Sequence, residues 1–295
     1  MPRRLVCAVA LTLLVLAPVA RADGPQASPG VIQGWTGVTA PGFPFRYVTM
    51  PSGPSTVLAQ VRRSSGRVCG FRSFAGIWGV PQVANDGTAG GLSRDGKVLV
   101  LAQWDPRGAL RSRSRFLLVS TRSLRAWRRV TLKGDFAFDA LSPGARTLYL
   151  IEHVSATDLT RYRVRAYDLA TRRLLPRVVA DRRQADWTMQ GYPVTRAASP
   201  DARWVYTLYQ QPGGSPFVHA LDAVTRTAVC VGIPWRGAQD ILWSVHLRVD
   251  QRAPRLFLET RRGRTLFAID TRSFWVSRPA ATRRGGFLAT VLRLL

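Results

Sequence analysis

Four residues whose carboxylate or aromatic side chains could bind a ligand occur at the same number of sequence positions before a recurring turn. They lie seven residues before the turn serine or its counterpart, and they are Asp86, Asp135, Tyr192 and Trp243. Aromatic rings beside carboxylates can hold sugars or cationic ligands. The same side chains are also ordinary packing residues between repeats. The spacing therefore predicts a shared location and leaves packing and ligand binding as alternatives.

A second set lies three residues before the same turn and includes Asp139 and Arg196. Because these two occupy equivalent positions in neighbouring repeats, we expect them to face each other as an ion pair. Such a pair either joins two repeats or forms part of a polar ligand site, and by itself it is weak evidence for stability. With a nearby histidine added, the candidate ligand-binding residues are Asp86, Asp135, Asp139, Tyr192, Arg196, Trp243 and His246.

Known catalytic patterns are missing from the sequence. It contains no nucleophile elbow, no paired-histidine metal motif and no phosphate-binding loop. His219 alternates within an apolar strand, which favours packing over chemistry. A cation site built from Asp86, Asp135 and Asp240 would suit Ca²⁺, but we predict neither a metal nor a cofactor.

Two repeated patterns organise the chain. The first is a Ser-containing turn before an apolar strand, at 93–96, 142–144 and 199–201, and the second is a strand, an Asp-x-x-Thr turn and another strand. In these turns the Asp and Ser side chains bond nearby backbone amides, so the repeated aspartates are structural. The repeat centres at 58, 118, 166, 220 and 268 are 60, 48, 54 and 48 residues apart. A unit of about 50 residues with four strands is typical of a propeller blade.

On these Ser-Pro-Asp/Gly and Tyr/Leu-Asp-x-x-Thr turns, residues 43–295 resemble the bacterial secreted β-propellers of the YVTN and TolB-like kind, distant relatives of WD-repeat proteins. The Gly-His and Trp-Asp dipeptides of true WD repeats are missing. Tyr47-Val48-Thr49-Met50 comes nearest to the tetrapeptide that gives the YVTN group its name. These families share no single activity, so the resemblance implies the fold and not the function.

We therefore predict an all-β fold, a propeller of five four-stranded blades at about 43–75, 82–133, 134–187, 190–236 and 238–279. The first unit shows no innermost strand, so we expect residues 287–292 to supply it and close the ring, which removes exposed sheet edges. Residues 23–42 are rich in Gly, Pro, Ser and Thr and predict a flexible linker. The seven candidate residues then meet at one mouth of the central channel.

Residues 1–22 predict a general secretory signal. Arg3 and Arg4 precede an apolar stretch over 5–17, and small residues at Ala20 and Ala22 favour cleavage after Ala22. No later apolar run reaches the ~20 residues that span a bilayer, so we expect no integral membrane segment after signal removal. The predicted location is the cell envelope or the extracellular space.

The charge is strongly positive, with 43 Lys and Arg against 17 Asp and Glu and a formal net charge of +26. A basic surface attracts polyanions, which for an exported chain are envelope polymers and anionic lipid. Nucleic acid is not expected, because the compartment is wrong and no nucleic-acid motif occurs. The alternative is a solvated basic shell with no ligand.

The two cysteines of the mature chain, Cys69 and Cys230, fall on outermost strands of blades that are not neighbours. Disulfide geometry requires Cα atoms within about 7 Å, so we predict two packed, unbridged thiols.

The favoured function is an exported binding module, monomeric, that takes a protein, a glycan or an anionic polymer of the envelope at the channel mouth or the basic rim. The alternative is a propeller enzyme, such as a lyase, a lactonase or a glycan-acting enzyme, that uses channel-mouth carboxylates and His246. A passive head on a stalk is a third possibility.

Overall fold

The computed structural model describes residues 29–104, 110–181 and 188–278. Regular structure in these residues is almost entirely β-strand, and the single helix among them is α1 (Gln239–Leu242). The prediction of an all-β fold is confirmed. Within the described ranges, no helix has the length and apolar character needed to cross a membrane.

The strands form five antiparallel sheets, which we call blades 1 to 5 in chain order. The first two strands are β1 (Val31–Ile32) and β2 (Gly34–Thr39). Blade 1 has the order β2, β3 (Phe45–Ser52), β4 (Ser55–Arg62) and β5 (Val68–Ala75). Blade 2 has the order β1, β6 (Trp78–Pro81), β7 (Val98–Gln103), β8 (Arg113–Ser120) and β9 (Ala126–Lys133).

The remaining blades follow the same up-and-down order. Blade 3 comprises β10 (Phe136–Leu141), β11 (Thr147–His153), β12 (Arg161–Asp168) and β13 (Arg173–Val178), with β14 (Met189–Gln190) also paired to β12. Blade 4 comprises β15 (Tyr192–Ala198), β16 (Trp204–Gln210), β17 (Phe217–Asp222) and β18 (Thr227–Gly232). Blade 5 comprises β19 (Val245–Val249), β20 (Arg255–Thr260), β21 (Thr265–Asp270) and β22 (Val276–Ser277). Five successive antiparallel sheets fit the blades of a β-propeller.

Strands β1 and β2 correct two predictions about the N-terminal part of the domain. The predicted flexible linker is wrong for residues 31–39, because β1 pairs with β6 and β2 pairs with β3. Gly37 permits this close pairing, since it has a φ of +54° and a Cβ there would lie 2.2 Å from the carbonyl oxygen of Tyr47.

Since β2 is the innermost strand of blade 1, the prediction that the first unit lacks that strand is also wrong. The proposed closing strand over 287–292 and the predicted signal over 1–22 lie outside the described residues.

Apolar contacts between successive blades make up the core. Each sheet except those at the ends of the series buries both faces, and every contact between consecutive blades has its own cluster of buried side chains. Between blades 1 and 2 this cluster includes Tyr47, Leu58, Leu99 and Leu117. Between blades 3 and 4 it includes Tyr149, Tyr162, Val205 and Tyr209.

Backbone hydrogen bonds also connect blade 2 to blade 4, which are not consecutive. The Asn85 N–H and side-chain amide both donate to the Pro193 carbonyl, at 2.9 and 2.8 Å, and the Asp86 N–H donates to the Val194 carbonyl at 3.1 Å. Arg94 donates to the Pro200 carbonyl at 2.6 Å. The loop between β6 and β7 of blade 2 is therefore tied to the inner strand of blade 4 and to the turn that follows it.

The repeated aspartates are turn residues, as predicted from the sequence. Eight described aspartates each accept the backbone N–H of the residue two positions later, namely Asp86, Asp95, Asp158, Asp168, Asp201, Asp222, Asp250 and Asp270. Each bond satisfies a turn amide that the sheet ladder leaves free.

Cys69 and Cys230 are not bridged, as predicted. Cys69 is exposed on β5, so the expectation that both thiols are packed is wrong for this residue. Cys230 is half-buried, and its Sγ lies 3.7 Å from Nδ1 of His219.

We predict that Asp222→Ala destabilises the fold more than Asp168→Ala does. Both carboxylates accept two turn N–H bonds, but Asp222 is buried and also receives two bonds from Arg203, at 3.0 and 2.8 Å. We expect a loss of about 1 kcal/mol in the free energy of unfolding for Asp168→Ala and about 2–3 kcal/mol for Asp222→Ala, measured by urea denaturation. Equal losses would show that the Arg203 bonds add nothing.

Candidate functional site

The predicted ion pair between Asp139 and Arg196 is present. Asp139 lies on the inner strand of blade 3 and Arg196 on the inner strand of blade 4, and Arg196 Nη2 donates to Asp139 Oδ1. The guanidinium also donates to the Asp139 carbonyl and, through Nε, to Thr207 Oγ1 at 2.9 Å. The side chains are 3% and 9% exposed, so the pair joins two blades in a nearly water-free setting.

A narrow, partly open cleft borders this pair. Gln82 and Val83 from blade 2, Phe138 from blade 3 and Pro193 from blade 4 help to line it. The cleft is mostly apolar, and its one cation and one anion already satisfy each other. It therefore offers an incoming ligand few unpaired polar groups.

A polar row crosses blade 4 behind the ion pair. Arg196, Thr207, His219 and Cys230 are successive cross-strand partners on β15, β16, β17 and β18, so they share the face that packs on blade 3. Burial lowers the pKa of His219 to about 4, although Asp139 nearby acts in the opposite direction. His219 is therefore neutral at ordinary pH, in agreement with the prediction that it is a packing residue.

Two tyrosines cover this row. The rings of Tyr162 and Tyr209 stack with their centroids 5.3 Å apart, and Tyr209 stacks in turn on Phe217 at 5.3 Å. Burial raises the pKa of both phenols well above their ordinary value. They remain protonated and act as packing residues.

Asp135 is held by an arginine and a histidine. Arg111 Nε donates to Asp135 Oδ1 at 2.8 Å, and His153 Nδ1 lies 3.5 Å from the same oxygen. Burial alone would raise the pKa of Asp135, but the contacts with His153 and Arg111 outweigh it and lower the pKa to about 2. This carboxylate is thus a fixed anion inside the protein.

Asp86 occupies the loop that crosses to blade 4. Its Oδ1 accepts the Thr88 N–H at 2.9 Å and the Thr88 hydroxyl at 2.6 Å, and its own N–H is bound to Val194. Tyr192 begins β15, and its ring makes an edge contact with Trp243 at a centroid distance of 6.4 Å.

His246 belongs to a separate group on blade 5. Its Nε2 lies 3.5 Å from Glu259 Oε2, while Arg248 donates to both oxygens of that carboxylate at 2.9 and 2.7 Å. The contacts therefore sort the candidates into the Asp139–Arg196 pair, the Tyr192–Trp243 pair, and three residues, Asp86, Asp135 and His246, each with other partners. Among the described residues, no group of three or more His, Cys, Asp or Glu side chains could hold a metal ion.

The seven site residues predicted from the sequence do not include the exposed basic side chains of the protein. Asp135, Asp139, Glu152, Asp222 and Glu259 are paired with arginines, and the turn aspartates serve their own loops. Many other arginines are exposed, including Arg113, Arg122, Arg125 and Arg129. The sequence feature that could have indicated these exposed cations is the absence of Asp and Glu over the long stretches 24–85 and 110–134.

The comparisons with known proteins give remote structural likeness only. No protein-family model matches the chain, and no curated protein matches it. Hydrazine synthase from Kuenenia stuttgartiensis aligns with 14% identity over 86% of this chain and 80% of its own, with a TM-score of 0.46.

Two further solved structures are similar at the same level. The β-propeller domain of Cps50 (Swd1) from Myceliophteria thermophila aligns with 12% identity over 86% of this chain and 71% of its own, with a TM-score of 0.46. TolB from Acinetobacter baumannii aligns with 13% identity over 80% of this chain and 58% of its own, with a TM-score of 0.37. The assignment of five blades therefore rests on the strand pairing itself.

We predict that Asp135→Asn lowers stability in a pH-dependent way. Because the folded-state pKa of about 2 lies below the ordinary 3.8, the ionised carboxylate stabilises the fold at neutral pH, and this contribution is lost as the pH falls from about 4 toward 2. The variant should lose roughly 2 kcal/mol near pH 7 and have a flatter stability profile in acid, as measured by urea unfolding. Asp240→Asn, at an exposed position, is the control. A wild-type profile in the Asp135 variant would contradict the prediction.

Proposed function

We propose that this protein is an exported binding module whose ligand is an anionic polymer of the cell envelope. The observation that carries the proposal is the unequal use of charge in the fold. Most described carboxylates bond turn amides or pair with arginines, whereas most described arginines are exposed on a chain with a net charge of +26. A surface of this kind produces a positive potential that recruits polyanions and weakens with added salt.

Binding at the outer surface is better supported than binding in the central cleft. The cleft beside Asp139 and Arg196 is narrow, and the bonds from Asn85 and Arg94 to blade 4 bring its walls together. A polymer also needs an open path along the surface, which exposed strands and turns provide. The predicted class of partner is kept, and of the two predicted locations, the channel mouth and the basic rim, the basic rim is favoured.

The arrangement supports binding more than catalysis. An acid or base catalyst needs a carboxyl or imidazole group that can exchange protons near neutral pH. Asp135 has a low pKa beside Arg111, and Asp139 is tied to Arg196. Glu259, the partner of His246, has its pKa lowered by the hydrogen bonds from Arg248.

We expect the protein to be retained on isolated cell-wall fragments at about 50 mM salt and released at about 300 mM, because screening shortens the reach of surface charge. Sedimentation with the fragments measures the retained fraction. Fragments stripped of their anionic polymers are the control and should retain little. Failure to bind at low salt, or retention that salt does not change, would overturn the proposal.

A further inference from the structure

The outer hairpin of blade 2 and the residues beside it concentrate positive charge, and among the described ion pairs an acid compensates just one of these cations, Arg111, through Asp135. Residues 110–134 contain eight basic side chains and no Asp or Glu. We propose that one face of this β8–β9 hairpin is the binding site for an anionic polysaccharide, an inference that rests on the proposed function and gives it a location. The face is defined by Arg113, Arg115, Arg129 and Lys133, and we call it the blade 2 cationic face.

Strand register places these four cations together. Arg113 is directly opposite Lys133, Arg115 is opposite Thr131, and Leu117 is opposite Arg129. Cross-strand partners and residues two apart share a side of the sheet, so all these residues project from one face. Leu117 belongs to the core between blades 1 and 2, which identifies the face as the one that turns toward blade 1.

The pairing of Arg113 with Lys133 is unfavourable for the fold alone. Like charges directly opposite on neighbouring strands repel each other and destabilise the sheet. Both side chains are exposed, and residues 110–134 supply no carboxylate to offset them. An anion bound between them would remove the repulsion, so the same feature that weakens the empty hairpin favours a polyanion.

Protection of the sheet edge against aggregation accounts for only part of this arrangement. Charges on an edge strand discourage pairing with other chains, which explains Arg129 and Lys133 on the outermost strand β9. Arg113 and Arg115 lie on β8, which is not the outermost strand, because it pairs with β9 from Arg113 onward and with β7 over 116–120. Their presence therefore needs another reason, and ligand binding supplies one.

An exposed tryptophan at the same end of the blade points to a sugar polymer. Arg115 donates to Gln103 Oε1 at 2.9 Å, and Gln103 is the last residue of β7. Trp104 follows directly and is 45% exposed. Indole rings stack on the apolar faces of sugar rings, so a polymer that passes over this end of the blade would meet the ring of Trp104 as well as the cations. Along a strand the cations recur every two residues, about 7 Å apart, which suits a linear polymer with repeated charge.

The test compares Lys133→Glu with Arg262→Glu, which makes the same charge change in the exposed turn after β20 of blade 5. Heparin, a sulfated polysaccharide, is the probe, and its dissociation constant is measured by calorimetry at low salt. We expect about tenfold weaker binding for Lys133→Glu and about twofold or less for Arg262→Glu. The melting temperature of Lys133→Glu should equal or exceed that of the wild type, because Glu opposite Arg113 replaces repulsion with attraction.

Two additional variants keep the result decisive. Lys133→Gln removes the repulsion without creating a new pair and should weaken binding about threefold, whatever the stability of the Glu variant. Trp104→Ala should weaken binding to heparin and leave binding to inorganic polyphosphate, which has no sugar rings, unchanged.

Each outcome has a distinct meaning. Equal losses in Lys133→Glu and Arg262→Glu would overturn this site and leave the proposed function standing as diffuse charge attraction. No heparin binding by the wild-type protein at low salt, together with no retention on cell-wall fragments, would overturn the proposed function itself. Equal losses for heparin and polyphosphate in Trp104→Ala would overturn the sugar assignment.

Discussion

Burial of sheet faces between consecutive blades is the constraint on which the rest of the structure depends. A four-stranded blade cannot bury its apolar faces alone and is stabilised by packing against its neighbours. The clusters between blades 1 and 2, 2 and 3, 3 and 4, and 4 and 5 meet this requirement in turn. Polar groups can enter such an interior only in mutually satisfied sets, and the bonds of Arg196 to Asp139 and Thr207 are an example.

The same constraint determines where the charges of the protein go. Turns between strands need side chains that satisfy backbone amides, and aspartate performs this role in blades 2 to 5. Asp135, Asp139, Glu152 and Glu259 instead pair with arginines, either between blades or within one blade. The fold thus uses most of its described acids in turns and ion pairs and presents most of its arginines to solvent, which links the architecture to the proposed partner.

Local turn chemistry made most of the fold predictable from the sequence. Asp168 and Asp222, for example, signal their turns through bonds to residues two positions later, so the position of each blade follows from short motifs. Strand β2 was missed because its glycine- and threonine-rich sequence has no strong strand pattern, and its pairing with β3 decides its conformation. The Asp139–Arg196 pair was predictable because equivalent positions in adjacent repeats meet. The alignment of Arg113 with Lys133, and the row from Thr207 through His219 to Cys230, depend on strand register, which single-sequence patterns do not reveal.

The bonds between Asn85 and Pro193 have a consequence for how the chain acquires its structure. Their partners are 108 positions apart, and blade 3 lies entirely between them in the sequence. While the chain emerges from the ribosome, the first two blades can form early. Until the start of blade 4 has been synthesised, water takes the place of the Pro193 carbonyl as the acceptor for the Asn85 amide. The contact between blades 2 and 4 therefore forms late and joins distant parts of the sequence. A nascent chain that stops after blade 3 would lack the Pro193 carbonyl that holds the loop around Asn85.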